Sequence, residues 1–171
     1  LTTHQAPHKP FLLLSIMDLI AQGVINNNFI EPSFELVETW NGYWNAFMPV
    51  GQRSTMAHPY PRLYKDGFWH RITNPGWDSH KDYNVTSMSK CREIYAGAKM
   101  DDELFSLMCK PETREQLRAL LIDTYFAQEI RIKVLEQGQL NYAAYQYSEK
   151  LLKVAELKKQ YEKPEDEPEW Q

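Results

Sequence analysis

The residues best suited to chemistry form two short clusters, the first of which lies near the N-terminus. It reads Ala6-Pro7-His8-Lys9-Pro10 and directly precedes an apolar run. Pro10 fits the first turn of a helix, whose free amide groups carry a partial positive charge and favour a phosphate. Lys9 adds a full positive charge beside them. The cluster therefore predicts an anion site; the alternative is a proline-rich lead-in whose His8 and Lys9 are simply solvated.

The second cluster is His58-Pro59-Tyr60-Pro61-Arg62. Two prolines around a tyrosine make a stiff, apolar surface, and Arg62 supplies a planar donor fork for a phosphate or a guanine edge. The alternative is a rigid segment whose Tyr60 packs on the core. The stretch Phe68-Trp69-His70-Arg71 follows, and strand alternation lets only one of the pairs Trp69/Arg71 and Phe68/His70 face a ligand. We expect at least one of Phe68 and Trp69 to be buried.

The charge distribution favours a focused anion site over a general nucleic-acid coat. The net charge is −4, which argues against nonspecific binding along a nucleic acid. Residues 51–100 nevertheless hold eight Lys/Arg against four Asp/Glu, whereas residues 101–171 hold ten against fifteen. Three of the five histidines also lie in the middle third. Ordinary surface scatter is the alternative interpretation.

The sequence lacks the motifs of the common enzyme classes. It contains no Gly-rich phosphate loop, GxSxG elbow or HExxH pair, and Glu129–Lys133 has the wrong spacing for a PD-(D/E)xK nuclease. Cys91 and Cys109 are isolated, which argues against a disulfide framework or a zinc site. We therefore expect a binding module with no catalytic residue, cofactor or metal of its own.

Length and hydropathy indicate a fragment of an intracellular protein. A chain of 171 residues accommodates one core and a C-terminal appendage. The longest apolar run, Phe11 to Met17, is far shorter than the ~20 residues of a membrane span. The chain carries no signal peptide and begins with Leu1 rather than Met, so we expect part of the protein to be missing.

Periodicity and capping residues predict the elements that position these clusters. We expect four helices with single bounds, at Phe11–Gln22, Met88–Tyr95, Asp101–Met108 and Pro111–Phe126. A further helix begins at Pro32 or Ser33 and ends either at Asn41–Gly42 or at Phe47. The last helical stretch is Glu129–Tyr161, with a break at Gly138 and Asn141. Residues 48–61 look like a loop. Arg62–Lys65 and Phe68–Ile72 flank Asp66-Gly67, which is typical of a β-hairpin turn. The predicted fold is mainly α with a small β-hairpin (α+β), a winged-helix-like DNA-binding module followed by a C-terminal helical extension.

Three segments in this order resemble the sulfur-binding domain of McrA-type HNH restriction endonucleases: APHKPFLLLSIMDLI, PYPRLYKDGFWHRI and DDELFSLMCKPETREQLRALLIDTYF. That family recognises DNA in which sulfur replaces a non-bridging phosphate oxygen, and an attached HNH domain cuts nearby. The resemblance implies a reader domain at 1–126, a helical extension at 127–162, and an acidic tail at 163–171 leading to a missing HNH domain. It also implies a bacterial cytoplasmic protein whose divalent metal belongs to that missing domain.

The resemblance further implies an apolar cup for sulfur with a cationic rim. The residues with suitable side chains for this cup and its charge are Ala6, His8, Tyr60, Pro61 and Arg62. Residues expected at the DNA backbone or base edges are Lys9, Gln52, Arg53, Ser54, His70 and Arg71, together with the loop 74–84. The partner would be double-stranded DNA with a phosphorothioate linkage.

Two other interpretations stay open. A reader of a modified base such as methylcytosine would use an aromatic cage, for which Trp40, Trp44, Trp69 and Trp77 are candidates. A protein-interaction or dimerisation module would use the helices of residues 129–162. A homodimer through these C-terminal helices is also compatible with binding to two-fold DNA sites.

Overall fold

The computed structural model describes residues 7–162, which form a mainly helical α+β fold, as the sequence predicts. The helices are α1 (His8–Ala21), α2 (Phe34–Phe47), α3 (Pro59–Arg62), α4 (Met88–Ile94), α5 (Asp102–Cys109), α6 (Pro111–Tyr125) and α7 (Gln128–Tyr161). A 3-10 turn, Leu63–Asp66, continues α3, and the strands are β1 (Trp69–Thr73) and β2 (Tyr95–Met100). The predicted tail at 163–171 lies outside the described residues.

Helix α1 lies at the centre of the core. It is apolar around most of its circumference, and such a helix is stable only when surrounded by other elements. Accordingly α1 contacts α2, α3, α5, α6 and α7. Phe11 stacks on Tyr43 of α2 with 5.7 Å between ring centroids and contacts Phe126 at 5.5 Å. The predicted helix at Phe11–Gln22 is therefore confirmed, beginning three residues earlier.

Four other predicted helices are also confirmed. The Ser33 hydroxyl accepts a hydrogen bond from the Leu36 amide at 3.2 Å, which caps α2, and this helix takes the longer of its two predicted extents. Ser87 caps α4 in the same way through the amide of Lys90. Helices α5 and α6 lie within one residue of their predicted bounds.

The predicted strand at Phe68–Ile72 is confirmed as β1, one residue later, but the β-hairpin that it was expected to form is wrong. Residues 62–65 are helical, and Asp66-Gly67 ends the 3-10 turn, with Gly67 at φ 91°. Strand β1 instead pairs antiparallel with β2, with Trp69 opposite Met100, and Ile30 forms a single bridge on the other edge of β2. A long loop and α4 separate the two strands. Residues 62–72 therefore do not form the hairpin that would be the wing of a winged-helix fold.

The predicted break in the last helix is also wrong. Helix α7 runs without interruption through Gly138 and Asn141. A Cβ atom at Gly138 would lie 3.1 Å from the Arg118 guanidinium and 3.3 Å from the Asp18 carboxylate, so glycine permits a close approach of helices there. Asn141 donates a 2.8 Å hydrogen bond to Asp18. Both residues therefore dock α7 on the body of the protein. Among residues 7–162, no helix combines the length and apolar character needed to cross a bilayer.

Candidate nucleic-acid interface

Residues 59–67 form one short helical unit with a buried side and an open side. Pro59 and Pro61 lie in its first turn, where the missing proline N–H groups cost no helical hydrogen bond. Tyr60 lies on the buried side: it is fully buried, and its hydroxyl donates to the Ile30 carbonyl at 2.5 Å. Because Tyr60 and Leu63 anchor the unit in the core, the residues on its other side are held rigidly.

The open side of this unit borders a cleft of about 240 Å³. Pro61 and Tyr64 lie three positions apart in the helical unit and both line the cleft, but Pro61 is buried whereas Tyr64 is partly exposed. The residues that line the cleft are Pro61, Arg62, Tyr64, Lys65, Arg71, Asp82, Tyr83 and Asn84. The cleft thus brings together Pro61, Arg62 and Arg71, three residues that the sequence singles out as candidates for DNA recognition.

Arg71 connects β1 to the cleft and to the loop that follows the strand. Its guanidinium carbon lies 3.7 Å from the centroid of the Tyr64 ring, and its Nη1 donates to the Pro61 carbonyl at 3.2 Å. Nη1 also donates to Asp82 at 3.1 Å, and Nη2 donates to the Ser79 carbonyl at 3.0 Å. The Arg71 side chain is only 5% exposed. Arg71 therefore holds the 78–84 loop against the helical unit, and its own donors are largely used by contacts within the protein.

Arg62 is held differently. Its Nη1 donates to the carbonyls of His58 at 2.9 Å, Ala57 at 3.3 Å and Val85 at 3.4 Å. Within residues 7–162 all of its hydrogen-bond acceptors are backbone carbonyls, which orient the guanidinium without cancelling its charge. Arg62 is therefore a pre-oriented cation at the cleft whose charge remains available to an anion.

The single carboxylate of the cleft lining is already satisfied. Asp82 accepts hydrogen bonds from the Tyr64 hydroxyl at 2.6 Å and from Arg71. The Tyr64 hydrogen bond, followed by that of Arg71, lowers the pKa of Asp82, and the same bond to Asp82 raises the pKa of Tyr64. Asp82 is therefore ionised at neutral pH. The lining also contains three cationic residues, Arg62, Lys65 and Arg71, so its overall charge is positive.

The N-terminal cluster lies beside the start of α3. His8 Nε2 and Ser54 Oγ are joined by a 2.7 Å hydrogen bond, although 46 positions separate them in the chain. The His8 ring contacts Trp44 at 4.7 Å and His58 at 6.0 Å between centroids. Lys9 forms a 2.6 Å ion pair with Asp66, at the other end of the helical unit. His8, Lys9 and Ser54 thus lie around the same unit that forms the cleft.

The remaining candidates are placed differently from the sequence-based expectation. Tyr60 is a core residue, so its ring does not reach the cleft. His70 points to the other face of β1 from Arg71, as strand alternation requires, and pairs with Asp101 at 2.6 Å. Gln52 and Arg53 are exposed on the loop before α3. Ala6 lies outside the described residues.

Sequence reasoning missed Tyr64 and Lys65, and it included Asp82, Tyr83 and Asn84 only as members of the loop 74–84. The first two were hidden by the predicted strand at 62–65, because a strand puts Pro61 and Tyr64 on opposite faces. A helical assignment of the same residues would have revealed them, since positions three and four apart share a helix face. The last three belong to an irregular loop, and long-range contacts with Arg71 and Tyr64 bring this loop to the cleft.

No protein-family model matches the chain, and no curated protein matches it. Within residues 7–162, no group of three or more His, Cys, Asp or Glu side chains is arranged to hold a metal ion. Cys91 is buried, and burial raises the pKa of its thiol to about 12, whereas Cys109 is exposed. The cleft and its neighbouring N-terminal cluster are therefore the features on which a functional assignment depends.

Proposed function

We propose that this chain binds double-stranded DNA that carries a phosphorothioate linkage, and that the cleft takes the modified phosphate. The observation that carries the proposal is that the buried Pro61, the partly exposed Tyr64 and the pre-oriented Arg62 guanidinium line one cleft. The order of the three sequence segments that resemble sulfur-binding domains agrees with this assignment. The proposal does not require a winged-helix fold, because the helical unit 59–67 rather than a hairpin supplies the cleft.

Selectivity for sulfur follows from hydration. A phosphate oxygen pressed against proline and tyrosine rings loses hydrogen bonds to water that these rings cannot replace. Sulfur is larger, softer and more weakly hydrated, so it loses less in the same contact. The negative charge of the linkage also needs donors at the rim, and arginine can give charge-assisted hydrogen bonds to the one non-bridging oxygen that remains. The cleft brings apolar residues and cationic donors together within one small volume.

The charge distribution limits binding to a focused contact. The chain carries a net charge of −4, so general attraction to the DNA backbone is weak. The positively charged cleft lining gives one place for a phosphate, whereas a phosphate at Lys9 would have to replace its ion pair with Asp66. Contacts from Arg53 and Gln52 on the adjacent exposed loop would then read the flanking bases.

We assign recognition alone to this chain. Following the resemblance, DNA cleavage and its divalent metal belong to an HNH domain of the same modification-dependent endonuclease, which acts in the bacterial cytoplasm. No residue of the cleft is given a catalytic role. Metal-dependent cleavage of DNA by the purified chain would contradict this division of labour.

The alternative of a methylated-base cage is less well supported. Trp40, Trp44 and Trp69 are 0%, 4% and 1% exposed, so they fill the core. Trp77 is half-buried and packs edge-on against Tyr83 at 5.1 Å, with the Lys90 ammonium 4.8 Å from its ring. Among the tryptophans in the described part of the chain, none stands in an open cage that could receive a flipped base.

The proposal is tested by titrating the chain with two duplexes of identical sequence, one of which carries a single phosphorothioate. We expect tighter binding of the sulfur-containing duplex at the same salt concentration, which must be fixed because backbone contacts are salt-dependent. Methylated duplexes serve as competitors. Equal affinity for the modified and unmodified duplexes would eliminate the sulfur assignment.

Two variants separate the apolar and charged parts of the cleft. Pro61→Ala removes part of the apolar lining but keeps the helical unit, so it should reduce the affinity ratio by about fourfold to fifteenfold, equivalent to one or two buried methylene groups. Arg62→Gln should weaken both duplexes about tenfold or more, because charge-assisted hydrogen bonds contribute ~1.5–3 kcal/mol. Lys99→Gln, which removes an exposed cation of β2, is the matched charge control and should change neither affinity by more than about twofold.

A further inference from the structure

The C-terminal half of α7 projects from the body of the protein. The first half is docked, with Val134 only 1% exposed and Asn141 bound to Asp18. Tyr145 is the last residue of the helix that is partly covered, and every residue from 146 to 161 is exposed. At 1.5 Å per residue this projecting segment, residues 146–161, extends about 24 Å into solvent.

An exposed stripe runs along the projecting segment with alternating spacings of three and four residues. Its members are Ala144, Tyr147, Leu151, Val154, Lys158 and Tyr161. This spacing is that of the seam between two paired helices. The positions beside the stripe include Ala143, Ser148 and Ala155, whose small side chains permit a second helix to approach closely. A contiguous apolar surface of this kind marks an interaction site.

We propose that this stripe pairs with the same stripe of a second copy of the chain, and that the two helices run antiparallel. The homodimer so formed goes beyond the proposed DNA-binding function and does not depend on it. The contact is self-complementary: each copy offers and receives the same surface, as a two-fold interface requires.

The antiparallel direction follows from the residues of the stripe. When Leu151 packs on Val154 of the second copy, Tyr147 meets Lys158, and Ala144 meets Tyr161. A large ring then faces a small methyl group, and an ammonium group lies over an aromatic ring, which is a favourable contact. A parallel pair would instead place Lys158 against Lys158 and Tyr161 against Tyr161.

The length of the projecting segment agrees with this register. In the antiparallel pair the end of the second helix, at Tyr161, reaches Ala144. The docked part of α7 ends at Tyr145, so the second copy covers the whole projection and stops where the body begins. The opposed directions of the two helices also bring their macrodipoles into a favourable arrangement.

The area available is that of a weak, reversible dimer. Tyr147 and Tyr161 are 65% and 88% exposed, and an aromatic side chain carries about 150–250 Å², so the pair offers about 300 Å² per copy. Leu151 and Val154 of the stripe and Leu157 beside it are 52%, 50% and 53% exposed, and together they add about 150 Å². Two copies then bury about 900 Å², just below the roughly 1,000 Å² that a stable specific interface exceeds and within the range of weak contacts. We therefore expect a dissociation constant in the micromolar range.

Sedimentation equilibrium of the full chain, without DNA, tests the proposal from about 1 μM to about 300 μM. We expect a monomer–dimer equilibrium that Leu151→Glu shifts by at least about a hundredfold toward monomer, because the substitution enters the dimer twice. Leu152→Glu is the matched control, since Leu152 is 59% exposed on the same helix but lies outside the stripe. It should leave the equilibrium within about threefold. Circular dichroism should show both variants folded, because neither side chain is buried.

A charge exchange tests the direction of the helices. Leu151→Glu and Val154→Lys should each abolish the dimer, whereas the double variant should restore it, because each glutamate then faces a lysine of the second copy. In a parallel pair the double variant would place glutamate against glutamate and would stay monomeric. A monomer at every concentration, a dimer insensitive to Leu151→Glu, or a double variant that fails to dimerise would each overturn the proposal.

Discussion

Replacing Arg118 with methionine would remove the cation of a buried ion pair that joins four helices. Arg118 Nη1 lies 2.7 Å from Asp18 Oδ1, and the two side chains are 6% and 2% exposed. The second carboxylate oxygen accepts hydrogen bonds from the Tyr43 hydroxyl at 2.5 Å and the Asn141 amide at 2.8 Å. Helices α1, α2, α6 and α7 therefore meet at one carboxylate, which is the most deeply buried acid of the described residues.

The expected loss of stability depends on the hydrogen-bond partners that Asp18 keeps. In Arg118→Met the carboxylate retains two neutral donors but loses its counter-charge. Removing one partner of a buried pair costs about 3–5 kcal/mol, and the retained hydrogen bonds place the expected loss near the lower end, at about 3 kcal/mol. For a domain of this size that is a large part of a total of about 5–15 kcal/mol. It corresponds to a fall in Tm of about 6–12 °C.

Urea unfolding followed by circular dichroism measures this loss. Lys99→Met is the control, because Lys99 and Asp102 form a surface pair with side chains 50% and 79% exposed, and such pairs contribute less than about 1 kcal/mol. The double variant Asp18→Asn/Arg118→Met removes both charges and should lose less stability than the two single variants together. A loss below about 1 kcal/mol for Arg118→Met would refute the reasoning.

Four smaller changes test other contacts. Gly138→Ala should lower the free energy of unfolding by about 1 kcal/mol, because its methyl group would lie 3.1 Å from the guanidinium of the buried ion pair. By contrast Gly42→Ala, with no atom within 4 Å of the new Cβ, should raise it by about 0.5–1 kcal/mol; the opposite signs would contradict this explanation. Tyr64→Phe should raise the pKa of Asp82 in a carbon NMR titration, because the Tyr64 hydroxyl is the main cause of its lowering. The hydrogen bond from Tyr64 to Asp82 stabilises the fold at neutral pH, and this stabilisation is lost as the pH falls through the lowered pKa of Asp82. An Asp82 pKa that is the same in Tyr64→Phe would be evidence against this hydrogen bond. Tyr60→Phe should cost about 1 kcal/mol in the unfolding assay, since its hydroxyl bonds to Ile30, but should leave the affinity ratio for sulfur unchanged; a changed ratio would show that the Tyr60 hydroxyl influences the cleft.

The helices were predictable because their signals are local. Ser33 and Ser87 act as N-caps through hydrogen bonds to residues three positions away, and Pro111 opens α6 within a sequence of regular apolar spacing. None of these features depends on a distant part of the chain. Their bounds therefore agree with the sequence-based prediction to within a few residues.

The sheet was not predictable for the opposite reason. Asp66-Gly67 fits a hairpin turn and a helix end equally well, because both need a glycine with positive φ. The helix end is formed because β1 pairs with β2 and not with residues 62–65. The sequence of β2, Tyr95-Ala-Gly-Ala-Lys-Met100, has little intrinsic preference for a strand. Its Gly97 lies under the ring of Phe29, where a Cβ atom would come within 2.6 Å. That contact joins residues far apart in sequence, which a local pattern does not reveal.

The candidate site shows how core and surface roles can share one segment. The sequence cluster 58–62 was interpreted as a ligand surface or as a core anchor, and the structure divides these roles between adjacent residues. Tyr60 is the anchor, whereas Pro61 and Arg62 form the wall of the cleft. Rigidity of the wall therefore comes from packing: the buried ring fixes the helical unit, and the backbone carbonyls of Ala57, His58 and Val85 hold the Arg62 guanidinium. A site that must distinguish one atom in a phosphate needs this kind of preorganisation, because a flexible wall would adapt to oxygen as readily as to sulfur.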